Sequence, residues 1–514
     1  MINVNQKFID SCNSDVVASQ YKIKVSVNKS GTVLCVLNDD EFDISTGGIQ
    51  RQASSGSACN IGGVCSTRFK ITLNQRGIDK LSNVDGFKKN YVLHLIQWNK
   101  VDDANQSTSD YSENLDHSEN QTGKCDLGFY YISEIDNNYY NCSIVAYDGM
   151  IAFERNFTMS QLKYLRDNKK SIDEWLSYLC GLVSNANINI SYTFSDITIN
   201  DGITFNLSED SSFDTIRDAI SQLAMLKMAY ATIDIEGNLT LKRGIQTDIS
   251  TYSDTVDNEY MFSCDNDVVE SVVGYFYTSI AGFEYENTYT DQEGRNVINL
   301  YLAENKFLRG NEPYNGTGLT STTLTCLRNM STAIMGYSFF SCDCEVNARP
   351  YLELGDVVQI ERKFVDSEGQ ATIQQIPCVI DSVDNQIGAT THLTSNSTVS
   401  TNSSSSSKGM NSATPAVNSS PKEPSTSDVY NDINTELTSP VTTYSDTTAS
   451  VRIRIDDNTA SAFDTQACLN YLMSHYTPTL SAVGNGTVTN VSDADAIYNK
   501  TEHKHYGKEA EVKQ

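Results

Sequence analysis

Hydrophobic positions recur along this chain with two periods, and residues 211–243 contain both. Phe213, Ile216, Ile220, Leu223 and Ala224 fall at helical spacing, and after Ala229 the rhythm changes to alternation. Ser211 and Asp214 fit a capping box, in which each residue satisfies a backbone donor that the first helical turn leaves unpaired. Tyr230, Thr232 and Asp234 then alternate with Ala231, Ile233 and Ile235, Glu236-Gly237-Asn238 supplies a turn, and Leu239 and Leu241 mark a returning strand. The pattern predicts a helix running straight into a hairpin, a packing module with no catalytic constellation.

Upstream, alternation dominates. Tyr21, Ile23, Val25 and Val27 point to one face of a strand, Asn28-Lys29-Ser30-Gly31 turns the chain, and residues 32–36 return. Thr67, Phe69, Ile71 and Leu73 predict another strand, residues 91–98 a further one, and residues 128–135 and 139–147 a hairpin about Asp136-Asn137-Asn138. Between them, residues 45–63 are rich in Gly and Ser and read as a flexible connection, because neither GxxxxGK[ST] nor GxGxxG phosphate-loop spacing is present. Residues 101–124, rich in Asp, Asn and Ser, read as an exposed insertion.

From residue 148 to 243 the character is α+β. Ser171 and Glu174 form a second capping box, opening a helix with Trp175, Leu176, Leu179, Leu182 and Val183 on its apolar side. Residues 188–194 and 203–207 look like strands. Strand patterns return over residues 268–278, 297–302 and 374–383, with a helix around 327–335 and a strand starting at Gly355-Asp356; Glu368-Gly369 is the turn before residue 374. Past Thr394 the chain is Ser-, Thr- and Pro-rich with almost nothing to bury, which is linker composition. Residues 451–455 then alternate as a strand and 463–476 suit a short helix, giving a small terminal module or a tail ordered by a partner. The expected class is α+β, predominantly β: a β domain over 1–150, a small α+β domain over 151–245, a second β domain over 246–394, a linker over 395–450 and a C-terminal segment over 451–514.

A chain of 514 residues suggests two to four domains, and its 39% hydrophobic content with 28 Tyr and 18 Phe suffices for several cores. A formal net charge of -28 argues against nucleic-acid binding and against anionic membranes, since both need basic surface. Such acidity suits an inner wall that must not retain passing DNA, and ordinary solubility explains it equally well. The start of the sequence lacks the cationic and apolar runs of a secretion signal, and no stretch of about 20 apolar residues offers a membrane span. The expectation is a protein made in a reducing cytoplasm, with its 13 cysteines as free, buried thiols.

Candidate chemistry is sparse. His503 and His505 lie in a polar terminus; Cys342 and Cys344 share a strand face, with Cys326 nearby in sequence, and a zinc site there needs two more ligands. Cys59 and Cys65 flank a glycine turn without CxxC spacing. Asp39, Asp40, Glu41 and Asp43 raise glycoside hydrolysis, which requires carboxylates facing each other across a cleft. GxSxG and the EF-hand loop are missing from the sequence. Tyr130-Tyr131 and Tyr139-Tyr140 suit a carbohydrate platform or, with faces alternating, core and interface. No catalytic, metal or cofactor-binding residue is assigned, no cofactor is expected, and the chain is not expected to be an enzyme.

Three landmarks occur in order: DISTGGI at 43–49 ahead of a strand ending in Phe69-Lys70-Ile71-Thr72-Leu73, NCSIVAYDGM at 141–150, and ARPYLELGDVVQI at 348–360. Over residues 1–395 this order resembles the tail hub proteins of Gram-positive phages and prophages. The resemblance implies two β domains similar to tail-tube subunits flanking the α+β domain, and a homotrimer whose six tube-like folds mate with a sixfold tube. It also implies contacts with a tail tube or distal tail protein, a tape-measure protein, and a tip, spike or fibre protein. Sequence-specific nucleic-acid binding and a membrane span are not implied, and the location would be the virion tail, assembled in the bacterial host cytoplasm. Some relatives of that kind carry peptidoglycan-cleaving domains; the region past residue 394 is too short and featureless here to suggest one, and docking of a neighbouring component is the expectation. The alternatives are a host-surface adhesin and a cell-wall hydrolase.

Overall fold

Alternating apolar residues become strands wherever a second layer covers one face. The computed structural model describes residues 2–13, 19–52, 61–84, 91–99, 123–137, 142–185, 188–244, 252–257, 260–264, 269–311, 318–365, 370–385, 390–395, 448–451, 479–482 and 510–513. Its first strands are β1 (Ser19–Ser26), β2 (Val33–Asn38), β3 (Phe42–Gln52), β4 (Arg68–Leu73), β5 (Val92–Asn99), β6 (Lys124–Asn137) and β7 (Cys142–Tyr147). Ile23 lies opposite Leu37 on one side and Leu95 on the other, all three with no exposed surface, and Phe69, Ile71 and Leu73 face inward on β4. Val27 lies one residue beyond β1 and is exposed. In this first region two helices escape the sequence pattern, α1 (Gln6–Cys12) and α2 (Gln75–Ser82). Each is short, and each is started by an asparagine side chain, Asn5 and Asn74, that accepts from the first-turn backbone.

The Gly- and Ser-rich stretch departs from expectation. Residues 45–52 belong to β3 rather than to a flexible connection. Against β4 the register jumps from Asp43↔Thr72 to Gly48↔Lys70, a bulge that Gly48 accommodates at φ 113°. One partner, β4, is the next strand, but the other, β18, lies far along the chain, 334 positions from Gln50 to Asp384, and the Gly-rich stretch itself carries no apolar alternation to announce a strand. Residues 53–60, most of the insertion at 101–124, and the turn at 138–141 lie outside the described residues.

The central region holds α3 (Met159–Asp167), α4 (Ile172–Val183), α5 (Ile216–Leu226) and the hairpin of β8 (Tyr230–Ile233) and β9 (Leu239–Lys242). The Ser171–Glu174 box caps α4 as the sequence predicts; Trp175, Leu176, Leu179 and Val183 are buried, and Leu182 is half-buried. The box opening α5 is Thr215 with Asp218, four residues later than Ser211 with Asp214. Ser211 instead closes a turn, its N–H donating to the Ser208 carbonyl at 3.1 Å. The predicted helix positions, Phe213, Ile216, Ile220, Leu223 and Ala224, are all buried. Strand β8 is buried on both faces rather than one, and its edge is covered as well, since Gly62 N–H donates to the Ala229 carbonyl and Cys65 N–H to the Ala231 carbonyl, laying residues 61–65 alongside it. Residues 188–194 and 203–207 make single bridges, Tyr192↔Leu239 and Lys170↔Phe205, rather than strands.

The second β-rich region comprises β10 (Asp254–Val256), β11 (Met261–Cys264), β12 (Val269–Ile280), β13 (Phe283–Thr288), β14 (Asn296–Leu302), β15 (Ser338–Asn347), β16 (Val357–Val365), β17 (Ala371–Val379), β18 (Ser382–Asn385) and β19 (Thr390–Ser395). The single strand expected at 374–383 is broken at Ile380 and Asp381, where backbone bonds to Asp356 and Thr394 carry the chain from one sheet to another. Helix α6 (Lys306–Gly310) sets Phe307 5.5 Å from the Phe213 ring and 6.3 Å from Trp175, plugging the α4–α5 layer. Helix α7 (Ser321–Thr332) starts six residues earlier than the expected 327, because the Thr320 hydroxyl caps it. The turn expected at Glu368-Gly369 is outside the described residues.

Seven strands from each β-rich region join one 14-stranded sheet, ordered β13-β12-β15-β19-β18-β3-β4-β7-β6-β5-β1-β2, with β11 on β15 and β14 on β12. The pairs are antiparallel except β12 with β14. A second sheet is β10-β16-β17. One apolar cluster runs from Ile23 and Ile71 through Ile49 and Tyr230 to Val383 and Leu393, so the β regions expected as separate domains share a core. The chain is thus α+β and predominantly β. It divides into two compact units, Met1–Asn156 with Leu165–Ser419, and Phe157–Tyr164 with Ser420–Gln514. Within the latter unit, β20 (Thr448–Val451), β21 (Thr479–Ala482) and β22 (Ala510–Lys513) form an antiparallel sheet with β22 central; of the strand expected at 451–455 only Val451 is described, and the helix expected at 463–476 lies outside the described residues. No helix among the described residues is long and apolar enough to cross a membrane.

Two outcomes test this placement. Ile220→Asp buries an unpaired charge where no surface is exposed and should abolish the cooperative unfolding transition of the central region in circular dichroism. Thr215→Ala should cost about 1 kcal/mol in urea unfolding through loss of the cap, while Ser211→Ala should stay within about 0.5 kcal/mol.

Candidate functional site

The acidic cluster is spent locally. Asp39 accepts from Tyr21 N–H at 2.5 Å, Asp40 pairs with Arg76 at 2.9 Å, and Glu41 accepts from Asn38 N–H at 2.7 Å while pairing with Lys80 at 2.8 Å. These carboxylates, Asp39, Asp40 and Glu41, fasten β1, β2 and α2. Tyr130 and Tyr131 are both buried, and Tyr130 donates to the Leu127 carbonyl at 2.7 Å, so neither serves a carbohydrate platform. Cys342 and Cys344 do share the inner face of β15, where Cys264 joins them; Cys326 is buried in α7. Cys65 is buried, and among the described residues no group of three His, Cys, Asp or Glu fits a metal ion. Cys59, Tyr139, Tyr140, His503 and His505 are outside the described residues.

What the structure brings together is a set of buried polar groups that sequence spacing does not single out, and two of the three landmark motifs supply them. In the 141–150 motif, Asp148 accepts from Thr67 N–H at 2.7 Å, Ser66 Oγ at 3.0 Å and Met150 N–H at 3.0 Å, tying the end of β7 to the start of β4. Burial raises its carboxyl above the usual range, and these donors oppose that rise. In the 348–360 motif, Gly355 takes φ 82° to make a tight turn, and the Asp356 carboxylate accepts from Glu353 N–H at 2.7 Å. A Cβ on Gly355 would lie 2.7 Å from the Tyr230 hydroxyl, so glycine is required by contact as well as by conformation.

Around this turn the regions of the first unit meet. Arg51 of β3 donates to the Leu352 carbonyl at 3.1 Å, and Ile2 N–H donates to the Tyr351 carbonyl at 2.9 Å. Lys242 of β9 pairs with Glu353 at 3.2 Å. Fully buried Arg349 donates to the Tyr351 hydroxyl at 3.1 Å, which donates to Asp254 at 2.6 Å. Beside it, β3 and β18 pair through Ile49↔Asn385, Gln50↔Asp384, Arg51↔Val383 and Gln52↔Ser382, with Gln50 donating to Asp384 at 3.2 Å. The central region is gripped in the same manner: Ser221 donates to the Gly62 carbonyl at 2.6 Å, and buried Arg217 donates to the Val64 carbonyl at 2.8 Å and pairs with Glu154. This chemistry holds and orients backbone.

Burial, the largest single influence, would raise the Glu353 carboxyl, but the positive groups around it, the Lys242 ammonium foremost and Arg51 among them, together outweigh it and bring Glu353 from its ordinary 4.5 down to about 2. A carboxyl lowered on folding contributes stability that is present above the unfolded value and is lost as pH falls from 4.5 toward 2. The contribution is roughly 3 kcal/mol at neutral pH, since a tenfold change in proton affinity corresponds to about 1.4 kcal/mol. Asp148 and Asp356, raised by burial, act with the opposite sign. Urea titrations from pH 7 to pH 3 should therefore show Glu353→Gln losing markedly less stability on acidification than the wild type. Identical acid profiles would rule out the pairing.

No protein-family model matches the chain, and no curated protein matches it. Among solved structures it aligns with the 43 kDa tail protein of prophage MuSo2 from Shewanella oneidensis at 11% identity, covering 74% of this chain and 96% of that one, with a TM-score of 0.39. A tail protein from Neisseria meningitidis MC58 aligns at 9% identity over 73% of this chain and 96% of that one, TM-score 0.37. The phage P2 baseplate in its activated conformation aligns at 8% identity over 73% of this chain and 99% of that one, TM-score 0.23. The proteins it aligns with are phage tail and baseplate components, and at these scores the functional reading rests on the chain's own residues.

Proposed function

We propose that this chain is a structural component of a phage tail, the central hub of a baseplate or tail tip, acting through surfaces rather than through catalysis. The observation that carries the reading is the β3–β18 seam, which sets two β-rich regions edge to edge within one chain. A subunit that carries two β surfaces side by side lets three copies present six, which is what joining a sixfold tube to a threefold tip requires. The landmark order that resembles tail hubs coincides with this seam: 43–49 enters β3, and 348–360 is the turn that Arg51 of β3 grips.

In this role the homotrimer receives the tail tube or distal tail protein on its ring of β regions, contacts the tape-measure protein along its channel, and holds a tip, spike or fibre protein on the far side. The net charge of -28 suits a channel that must release DNA. The location is the virion tail, after assembly in the host cytoplasm. The adhesin alternative draws on one feature, an outward row of Tyr275, Tyr277 and Tyr301 with ring centroids 5.6 to 6.5 Å apart.

Light scattering of the purified chain, followed by electron-microscope class averages, tests the reading. The expected particle has threefold symmetry, six peripheral β lobes and a central channel. A monomer that persists when tail-tube protein is added would overturn it.

A further inference from the structure

Strand β11 lies at the margin of the large sheet, paired with β15, and in that pairing Cys264 is directly opposite Cys344. Directly opposed residues of an antiparallel pair have Cα atoms about 4.5 to 5.5 Å apart, within the range a disulfide spans without backbone movement. The two Sγ atoms are 2.7 Å apart, although the residues are 80 positions apart in sequence. Cys264 is partly exposed and Cys344 has no exposed surface. The row continues inward, Cys344 contacting Cys342, and Cys342 contacting Cys378 on β17.

We infer that Cys264 and Cys344 are a disulfide-forming pair, reduced in a reducing cytoplasm and closed by exchange with a low-molecular-weight disulfide in an oxidising medium. The Cys264 thiolate, reachable from solvent, attacks the small disulfide, forms a mixed disulfide and releases one small thiolate. Cys344 gives up its proton to that thiolate and attacks the Cys264 sulfur, releasing the second. Two protein thiols become one disulfide, and the small disulfide becomes two thiols. The link ties β11 to β15 covalently and closes the intervening loop, which stabilises the folded state by restricting the unfolded one.

The test uses the full chain, purified in dithiothreitol and then held in oxidised glutathione under native conditions. Peptide mapping without reduction should find the Cys264 peptide linked to the Cys344 peptide, with thiol titration in denaturant falling by two. The thermal midpoint should rise by several degrees and return on adding dithiothreitol. The link and the rise should vanish in Cys264→Ser and persist in Cys378→Ser. A stable glutathione adduct on Cys264, a bridge from Cys344 to Cys342, or an unchanged thiol count in the wild-type chain would each overturn the assignment, and none of these readouts needs a variant to fold.

Discussion

A strand edge presents a row of N–H and C=O groups that must be paired, covered or wetted, and in this protein one edge pairing organises the rest. Strand β3 is bonded to β4 on one side and to β18 on the other. Without β18 its far edge would lie open, the apolar cluster reaching from Ile23 to Leu393 would be cut, and Arg51 would lose its carbonyl on the 348–360 turn. The seam is short, four residue pairs, and the side-chain bonds around it are what make its register unique.

Those bonds share a character. Arg349, Arg217 and Lys227 are each almost wholly buried, and each reaches a partner in another segment: Tyr351 and Asp254, Glu154 and the Val64 carbonyl, Asp201 and the Ile197 carbonyl. Buried charges contribute little net stability compared with apolar packing, but breaking one partner is costly, so such networks favour one arrangement over its alternatives. In the role proposed for this chain, presenting surfaces in fixed relation to one another, that selectivity matters more than total stability.

How much of this is legible in the sequence follows from the range of each interaction. The Ser171–Glu174 cap, the strand with Phe69, Ile71 and Leu73 inward, the β6–β7 hairpin and the strand after Gly355 are set by neighbours within a few residues, and periodicity reveals them. The α5 cap is ambiguous locally, since Ser211 to Asp214 and Thr215 to Asp218 both satisfy the pattern, and the choice is made by Ile216 N–H bonding the Arg155 carbonyl. Strand β3 is hidden because its glycines mimic a loop while the partner on its far edge, β18, lies far along the chain. The motif residues Asp148 and Gly355 are visible as motifs, but their roles, accepting from Thr67 and making room for Tyr230, exist only once distant segments have met.

The seam also has a temporal side. Gln50 and Asp384 are 334 positions apart, so during synthesis β3 emerges long before its partner exists. At ordinary elongation rates of about 5 to 20 residues per second the interval is on the order of tens of seconds, far longer than a hairpin needs to form. Through that interval the nascent chain carries an open edge beside other nascent chains on the same message. The register jump between Asp43 and Gly48 limits the regular part of that edge to the residues after it, of which 49–52 pair with β18, a short ladder for a neighbouring copy to use as a template. The glycines that disguise the strand thus also shorten the edge it offers until residues 382–385 arrive.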